Sequence, residues 1–455
     1  MRPFVTAMVA ALRDGSWLTR ERMRLIALAV LAASTIGMGY LVATANGLND
    51  FQGRPLGTDF SNVYAAGTFV LEGRPDAPFD PPQHHARQKQ IFGDATPFYG
   101  WHYPPFFLFV AAALALLPYA LALAVWQAAT LPLYLLAIHA IVFSDIPLKG
   151  GGRSRSDRVG VDAAEPTRSP PGALRAPTSP LQGEARWLWL LLALAYPAVF
   201  INLGHGHNGF LTAALIGGAL LLLDRRPIFS GILIGLVAYK PQFGVLIPLV
   251  LAATGRWRAF AAAVATVAVL ALLTTIAFGP EVWSAFLEST RFTRTVVLEA
   301  GDTGWHKIQS VFSWVRMWGG SVPLAYAVQG SVLAALAAAL VVLWRSQAAY
   351  PLKAAALIIA LILATPYSLD YDLMVLAPAI AFLAADGLKR GFQPYEKTAL
   401  AFLWFVPLIA RTAALGALLP LTVPAALLVF FLILRRAARD AGLLPRWSFA
   451  ARSPK

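Results

Sequence analysis

The chain contains no cysteine, and only 13% of its residues are charged. The missing thiols exclude a disulfide framework, a thiolate nucleophile and any cysteine metal site, and leave the redox compartment open. The scarcity of charge argues against a soluble protein. At 58% hydrophobic residues and a mean hydropathy of +0.62, most of the chain has lipid as its solvent. Acidic residues are the rarer sign, 23 against 37 Lys and Arg, which leaves a net charge of +14. That excess would suit nucleic acid only if the basic residues formed one footprint. They sit instead in short clusters at the ends of apolar stretches, the pattern of membrane orientation, so no nucleic-acid partner is expected. No fixed-period internal repeat is visible.

The apolar stretches predict an all-α polytopic membrane protein of about twelve transmembrane helices, with re-entrant or interfacial helices and two larger outer loops. The first stretch, Leu25 to Ala45, is long for a signal-peptide core and lacks a small-residue cleavage site, so it is expected to be a retained anchor. With residues 1–24 and the 436–455 tail cytoplasmic, alternation puts about 27 of the 37 basic residues on the inner side, the bias of the positive-inside rule. The membrane domain then covers 25–435. Its outer loops are 46–103 and 279–316, and 144–186 is a cytoplasmic insertion, Gly-, Pro- and Ser-rich and expected to be disordered. Short helices are predicted over Asn62 to Leu71 and Pro82 to Phe92.

Several apolar pieces are too short to span. Pro105 to Leu117 would reach only about 20 Å against a hydrocarbon core of about 30 Å, so it should be re-entrant or interfacial, with Tyr119 to Phe143 as the true span. Gly209 to Leu223, Ile228 to Ala238, Phe243 to Ala253 and Leu352 to Ala364 share that shortness. Their tips at His205 to Asn208, Lys240 to Gln242 and Thr365 to Asp370 are expected to lie below the outer surface and form a crater. Irregular backbone at that depth is tolerated only inside protein or along a watery cavity. Pro241 supports this reading, because it removes a backbone donor and disfavours helix at Lys240.

The chemistry-bearing residues gather at alternate connections. They are Asp59 with Tyr64, Tyr103-Pro104-Pro105, His205-Gly206-His207-Asn208, Lys240-Pro241-Gln242, Trp305-His306-Lys307 and Thr365-Pro366-Tyr367. Lys240, His306 and Lys307 are suited to a phosphate whose negative charge grows in a low-dielectric crater. Plainer roles exist for each group. Asp59 could cap the helix that follows it, Lys240 could snorkel to the surface, and Asp370 and Asp372 suit helix N-capping. Six of the seven His residues fall on the expected outer side, yet their spacing forms no recognised metal motif, and His and Asn also bind sugar hydroxyls. No metal and no cofactor is therefore expected.

An Asp-Phe pair at Asp59-Phe60 after the first span, Tyr64 beyond it, Tyr103-Pro104-Pro105, Gly206-His207-Asn208 opening a span and Lys240-Pro241-Gln242 together resemble glycosyltransferase family 87. This is a branch of the polytopic glycosyltransferase C superfamily that includes polyprenol-phosphate-mannose-dependent mannosyltransferases. The resemblance runs over roughly residues 25 to 435 outside the insertion. One position departs from it, because His207 stands where the family often has Gln.

The resemblance implies transfer of a hexose, mannose above all, from a polyprenyl-phosphate donor to a lipid or glycan acceptor. The reaction would occur at the outer face of the plasma (inner) membrane, toward the periplasm or outside. It assigns the base to Asp59, leaving Lys240, His306 and Lys307 for the donor phosphate and Tyr64, Tyr103, His205, His207, Asn208 and Gln242 for the sugar or acceptor. One carboxylate can suffice, since phosphate leaves without much acid help. Two other classes fit the same sequence features. A secondary transporter also places charges and broken helices in the membrane. A polyprenyl-diphosphate-dependent polysaccharide ligase or polymerase shares the large outer loops.

Overall fold

The computed structural model describes residues 2–143 and 180–444. Among them all regular structure is helical, and no strand forms beyond three isolated bridges. Six helices are long and apolar enough to cross a membrane: Arg20–Ala43, Tyr119–Phe143, Trp257–Phe278, Val322–Arg345, Asp370–Arg390 and Glu396–Ala417. A seventh span arises if Trp187–Leu194 and Pro197–His205, bent by 48°, act as one.

The expected twelve spans are therefore not reached. Six further apolar helices of 10–17 residues are too short to cross singly: Phe60–Leu71, Pro105–Ala115, Gly209–Leu222, Pro227–Tyr239, Pro241–Ala253 and Tyr350–Ala364. Hydropathy counts such segments as spans, whereas length does not. The predicted span Tyr119–Phe143 and the short Pro105–Ala115 segment appear as expected, and so do the loop helices Phe60–Leu71 and Pro81–Phe92. The insertion lies outside the described residues up to 179, and the chain is already helical from Pro180.

The short helices are stable because protein surrounds them. Tyr350–Ala364 is apolar on every side, and all fifteen of its residues are buried, as expected for a helix at the centre of a bundle. Its one cation, Lys353, donates to the carbonyls of Trp344 (3.1 Å) and Ser346 (2.6 Å), closing the end of the Val322–Arg345 helix. Small residues bring other helices close. Pro227–Leu236 lies against Trp257–Phe278 through Gly231 and Gly235. A Cβ at Gly231 would stand 2.3 Å from the Ala259 carbonyl oxygen.

The two ends of the bundle are built differently. One is closed by charge. There Arg436 bridges Asp386 (2.9 Å) and Glu396 (2.6 Å), and Arg390 bridges Asp386 and Asp440 (both 2.7 Å), tying the helices Leu376–Arg390, Glu396–Ala417 and Thr422–Asp440 together. The amphipathic Arg2–Asp14 helix is fastened to this end through Trp17 on Thr398 (2.9 Å), and it leaves Phe4, Val5, Met8, Val9 and Leu12 exposed along one face.

At the other end the two long loops dock on each other. Phe79 meets Phe286, Phe98 meets Phe292, and the His102 ring nitrogen bonds the Thr293 hydroxyl at 2.9 Å. Gln309 N donates to the Ser368 carbonyl (2.7 Å), so the second loop is also tied to the 365–370 tip.

Gly231→Leu should force the Pro227–Leu236 and Trp257–Phe278 helices apart, at a cost of about 1–3 kcal/mol for overpacking. A lower apparent Tm in detergent would report it. Gly330, with no atom within 4 Å of its added Cβ, serves as the control. Equal melting of Gly231→Leu and Gly330→Leu would rule out the close contact.

Candidate active site

The site is assembled from tips that no single helix could bring together. The Pro197–His205 helix ends at Gly206, whose left-handed φ of +61° turns the chain within one residue before Gly209–Leu222 begins. Asn202 fixes that turn. Its Oδ1 accepts from Gly209 N (2.9 Å), and its Nδ2 donates to the carbonyls of Ala198 (2.8 Å) and Tyr371 (2.9 Å). The 205–209 tip is thereby stitched to the turn Asp370–Val375.

Asp59 occupies the position before the Phe60–Leu71 helix but does not cap it. The first helical amides go instead to Gly57 and Thr58: Phe60 N donates to the Gly57 carbonyl (2.8 Å) and Ser61 N to those of Gly57 (3.2 Å) and Thr58 (3.3 Å). With its own helix satisfied elsewhere, the carboxylate is left for other work. Asp59 Oδ2 stands 3.3 Å from His205 Nδ1, which also meets the Thr58 hydroxyl at 2.6 Å. Desolvation pushes the Asp59 carboxyl above its usual range, and nearby Asp370 adds to this; His205, Lys307 and Arg411 pull it back down.

Two more carboxylates line the same turn. Asp370 pairs with Arg411 (2.5 Å) and accepts from Tyr371 N (3.0 Å). Asp372 accepts from Leu369 N (3.0 Å) through one oxygen and pairs with Lys240 through the other, so the expected N-capping is only half of its role. Between them the Tyr371 ring stacks on His207 with centroids 3.5 Å apart, 6.0 Å from the His205 ring. Tyr103 OH lies 3.2 Å from His207 Nε2. The other His207 ring nitrogen and both polar atoms of the Asn208 side chain are buried without a protein partner, so they are free to bond a hydroxyl-rich ligand.

The second loop supplies two basic residues, His306 and Lys307, from a half-buried turn, Trp305–Lys307, against which the Glu396–Ala417 helix packs. Burial and the adjoining Lys307 and Arg411 charges hold the His306 imidazole below its usual range, so at neutral pH it offers a hydrogen bond more than a charge. Burial, then Arg411, also disfavours the charged form of Lys307.

Three expectations meet a different geometry. Lys240 was expected to be available to phosphate, but its ammonium is buried against Asp372 and lies 5.4 Å from the Tyr371 ring centroid. Tyr64 packs edge-on to Tyr119 and donates to the Leu117 carbonyl (3.0 Å), which makes it a helix-packing residue. Gln242 is half-buried in the turn after Lys240, and no hydrogen bond joins it to this network. The sequence reading missed Arg411, although it is the single basic residue between Lys397 and Arg435 and stands alone in an apolar run. Thr58, Asn202 and Tyr371 carried no signal that separates them from ordinary loop and core residues. Among the described residues no three His, Asp or Glu side chains gather closely enough to share a metal ion.

A model of glycosyltransferase family 87 matches residues 101–366, more than half of the 455-residue chain. The chain belongs to glycosyltransferase family 87. It is thus a membrane glycosyltransferase, which sets aside the transporter reading. No curated protein and no solved structure matches it. The matched stretch holds the 205–208, 240–242 and 305–307 tips of this glycosyltransferase, while Asp59, Asp370, Asp372 and Arg411 flank it on both sides.

The buried Lys240–Asp372 pair has a measurable signature. Lys240→Met alone should cost about 3–5 kcal/mol, because it strands the Asp372 charge in an apolar interior. Adding Asp372→Asn should recover a large part of that loss. Thermal unfolding in detergent checks it, and a Lys240→Met protein as stable as its parent would rule out the pair.

Proposed function

We propose that this glycosyltransferase moves a hexose, which we assign as mannose, from a polyprenyl-phosphate donor to a hydroxyl of a lipid or glycan acceptor. Transfer inverts the anomeric centre and takes place at the outer face of the plasma membrane. The observation that carries the reading is Asp59: a carboxylate that does not cap its own helix and lies beside His205 and Thr58 near the cationic 305–307 turn.

In this mechanism Asp59 takes the proton of the acceptor hydroxyl as its oxygen attacks the anomeric carbon. The bond from that carbon to the phosphate oxygen breaks, and polyprenyl phosphate departs with the electron pair. Lys307 meets the charge that grows on the phosphate, with His306 as a hydrogen-bond donor beside it. His207 and Asn208, with unpartnered polar atoms at the tip, and Tyr103 beside them are assigned to sugar and acceptor hydroxyls. Since Lys240 is occupied by Asp372, its contribution is to hold the 240 tip against the Asp370–Val375 turn.

The reaction is tested with purified protein, labelled polyprenyl-phosphate mannose and a membrane lipid extract. A labelled product is expected. Transfer only from a polyprenyl diphosphate sugar would favour the ligase or polymerase reading instead. Asp59→Asn keeps the shape but cannot accept the proton, so turnover should fall on the order of 10²-fold or more while donor binding survives. Parental turnover in a folded Asp59→Asn protein would remove Asp59 from the mechanism.

The rate should also fall as acid protonates Asp59, at a pH above that of an ordinary aspartate. Lys307→Met removes a charge that lowers the Asp59 pKa, so the acid limb of kcat/KM should move to higher pH. An acid limb that stays in place would separate Lys307 from the base.

A further inference from the structure

Arg411 is a cation of the site that the proposed reaction has not used. It sits in the candidate span Glu396–Ala417, six residues before the helix ends, or about 9 Å along the axis from that end. The end itself is marked by Trp318, whose indole N–H donates to the Leu418 carbonyl (3.0 Å) and whose ring is exposed, as at a membrane interface.

Around the helix, Leu403, Val406, Ala410 and Ala414 are buried against the bundle, whereas Leu408 and Leu415 are 49% and 59% exposed. Leu408 and Leu415 lie three residues before and four after Arg411, so they share its flank. Arg411 stands at the boundary of the two faces. Its side chain is 40% exposed and pairs with the buried Asp370.

A charge at this depth is costly in lipid and needs a reason to be there. Asp370 satisfies only part of the guanidinium, which has five N–H donors; the ion pair engages one nitrogen, and Nε has no partner among the described residues. The helix also packs against the Trp305–Lys307 turn and the Asp370–Val375 turn.

We propose that Arg411 binds the phosphate of the lipid-linked donor at the edge of the bundle, with the polyprenyl chain lying along the exposed Leu408 and Leu415 flank. The inference rests on the polyprenyl-phosphate reading and adds to it a binding residue and the side from which the lipid approaches. Asp370 keeps the guanidinium oriented, with donors left over for a planar two-point contact to phosphate oxygens, a geometry that Lys cannot reproduce. Lys307, from the second loop, faces the same anion from the aqueous side. A lipid tail held outside the bundle and a phosphate held at its rim would set the sugar beyond Arg411, toward Tyr371, His205 and Asp59.

The alternative is that Arg411 only neutralises Asp370. Nanodisc-embedded wild type, Arg411→Met, Arg411→Lys, Asp59→Asn and the double variant Arg411→Met/Asp370→Asn are compared for binding of polyprenyl phosphate and of inorganic phosphate. The double variant leaves no stranded charge and keeps the proposal testable if Arg411→Met alone does not fold.

The double variant is expected to bind polyprenyl phosphate on the order of 10- to 100-fold more weakly. Arg411→Lys should recover only part of the loss, and Asp59→Asn should bind as wild type does. Leu408→Glu/Leu415→Glu should weaken polyprenyl phosphate and leave inorganic phosphate unchanged. Equal loss of both would mean that the flank does not hold the tail.

Wild-type affinity in the double variant would overturn the role of Arg411 and leave the donor reading intact. No polyprenyl-phosphate binding by wild type that still transfers sugar would overturn the donor reading and this inference together.

Discussion

A charge inside an apolar bundle persists only where an opposite charge or a set of hydrogen bonds compensates for lost water, and that constraint organises this protein. Three acid–base partnerships meet at one end: Asp59 with His205, Asp370 with Arg411 and Asp372 with Lys240. Their members come from five separate segments. Each partnership therefore joins a tip or turn to a separate segment, and together they hold irregular backbone at a depth where unpaired peptide groups would be expensive. At the opposite end the same rule produces a closed ionic lattice around Arg436 and Arg390. There every carboxylate faces a guanidinium. At the site end the Asp59 carboxylate meets the His205 imidazole at 3.3 Å, with no guanidinium paired to it among the described residues.

Short helices are the second requirement. Segments of 10–17 residues are too short to span singly, and the candidate site residues at the 205–208 and 240–242 tips sit at their ends. The fully buried Tyr350–Ala364 helix gives them a common wall. Close contacts at Gly231 and Gly235 remove the bulk that would otherwise hold helices apart. The two long loops then cover this end by packing aromatic rings on each other, and the Trp305–Lys307 turn is carried with them.

Much of the architecture was legible from the amino-acid sequence. Hydropathy and length marked Tyr119–Phe143 as a span and Pro105–Ala115 as too short, and turn-rich stretches delimited the two loop helices. Six helices, or seven with the bent pair, are long and apolar enough to cross, so the count of about twelve is not confirmed, and Gly209–Leu222 is as short as its sequence implied. The site was half legible. Asp59, the 205–208 tip and Lys240 stood out as polar residues at alternate connections, and the structure brings them to one end. Arg411 was visible as a lone cation in an apolar run, yet nothing in its sequence neighbourhood pointed to Asp370, 41 residues earlier.

The order of the tips and their chemistry follow from the sequence, because hydropathy and charge act through local composition. What each charge is used for was decided only in three dimensions. Lys240, read as a phosphate ligand, is neutralised by a residue 132 positions away, and Tyr64, read as a sugar contact, hydrogen-bonds a carbonyl 53 positions away. Asp59, for which capping was the plainer alternative, does not cap, because Gly57 and Thr58 accept the helix amides in its place. A side chain's type sets which interactions it can make; packing sets which partner is within 3 Å, and in a low-dielectric interior that partner determines whether a charge is structural or free to react.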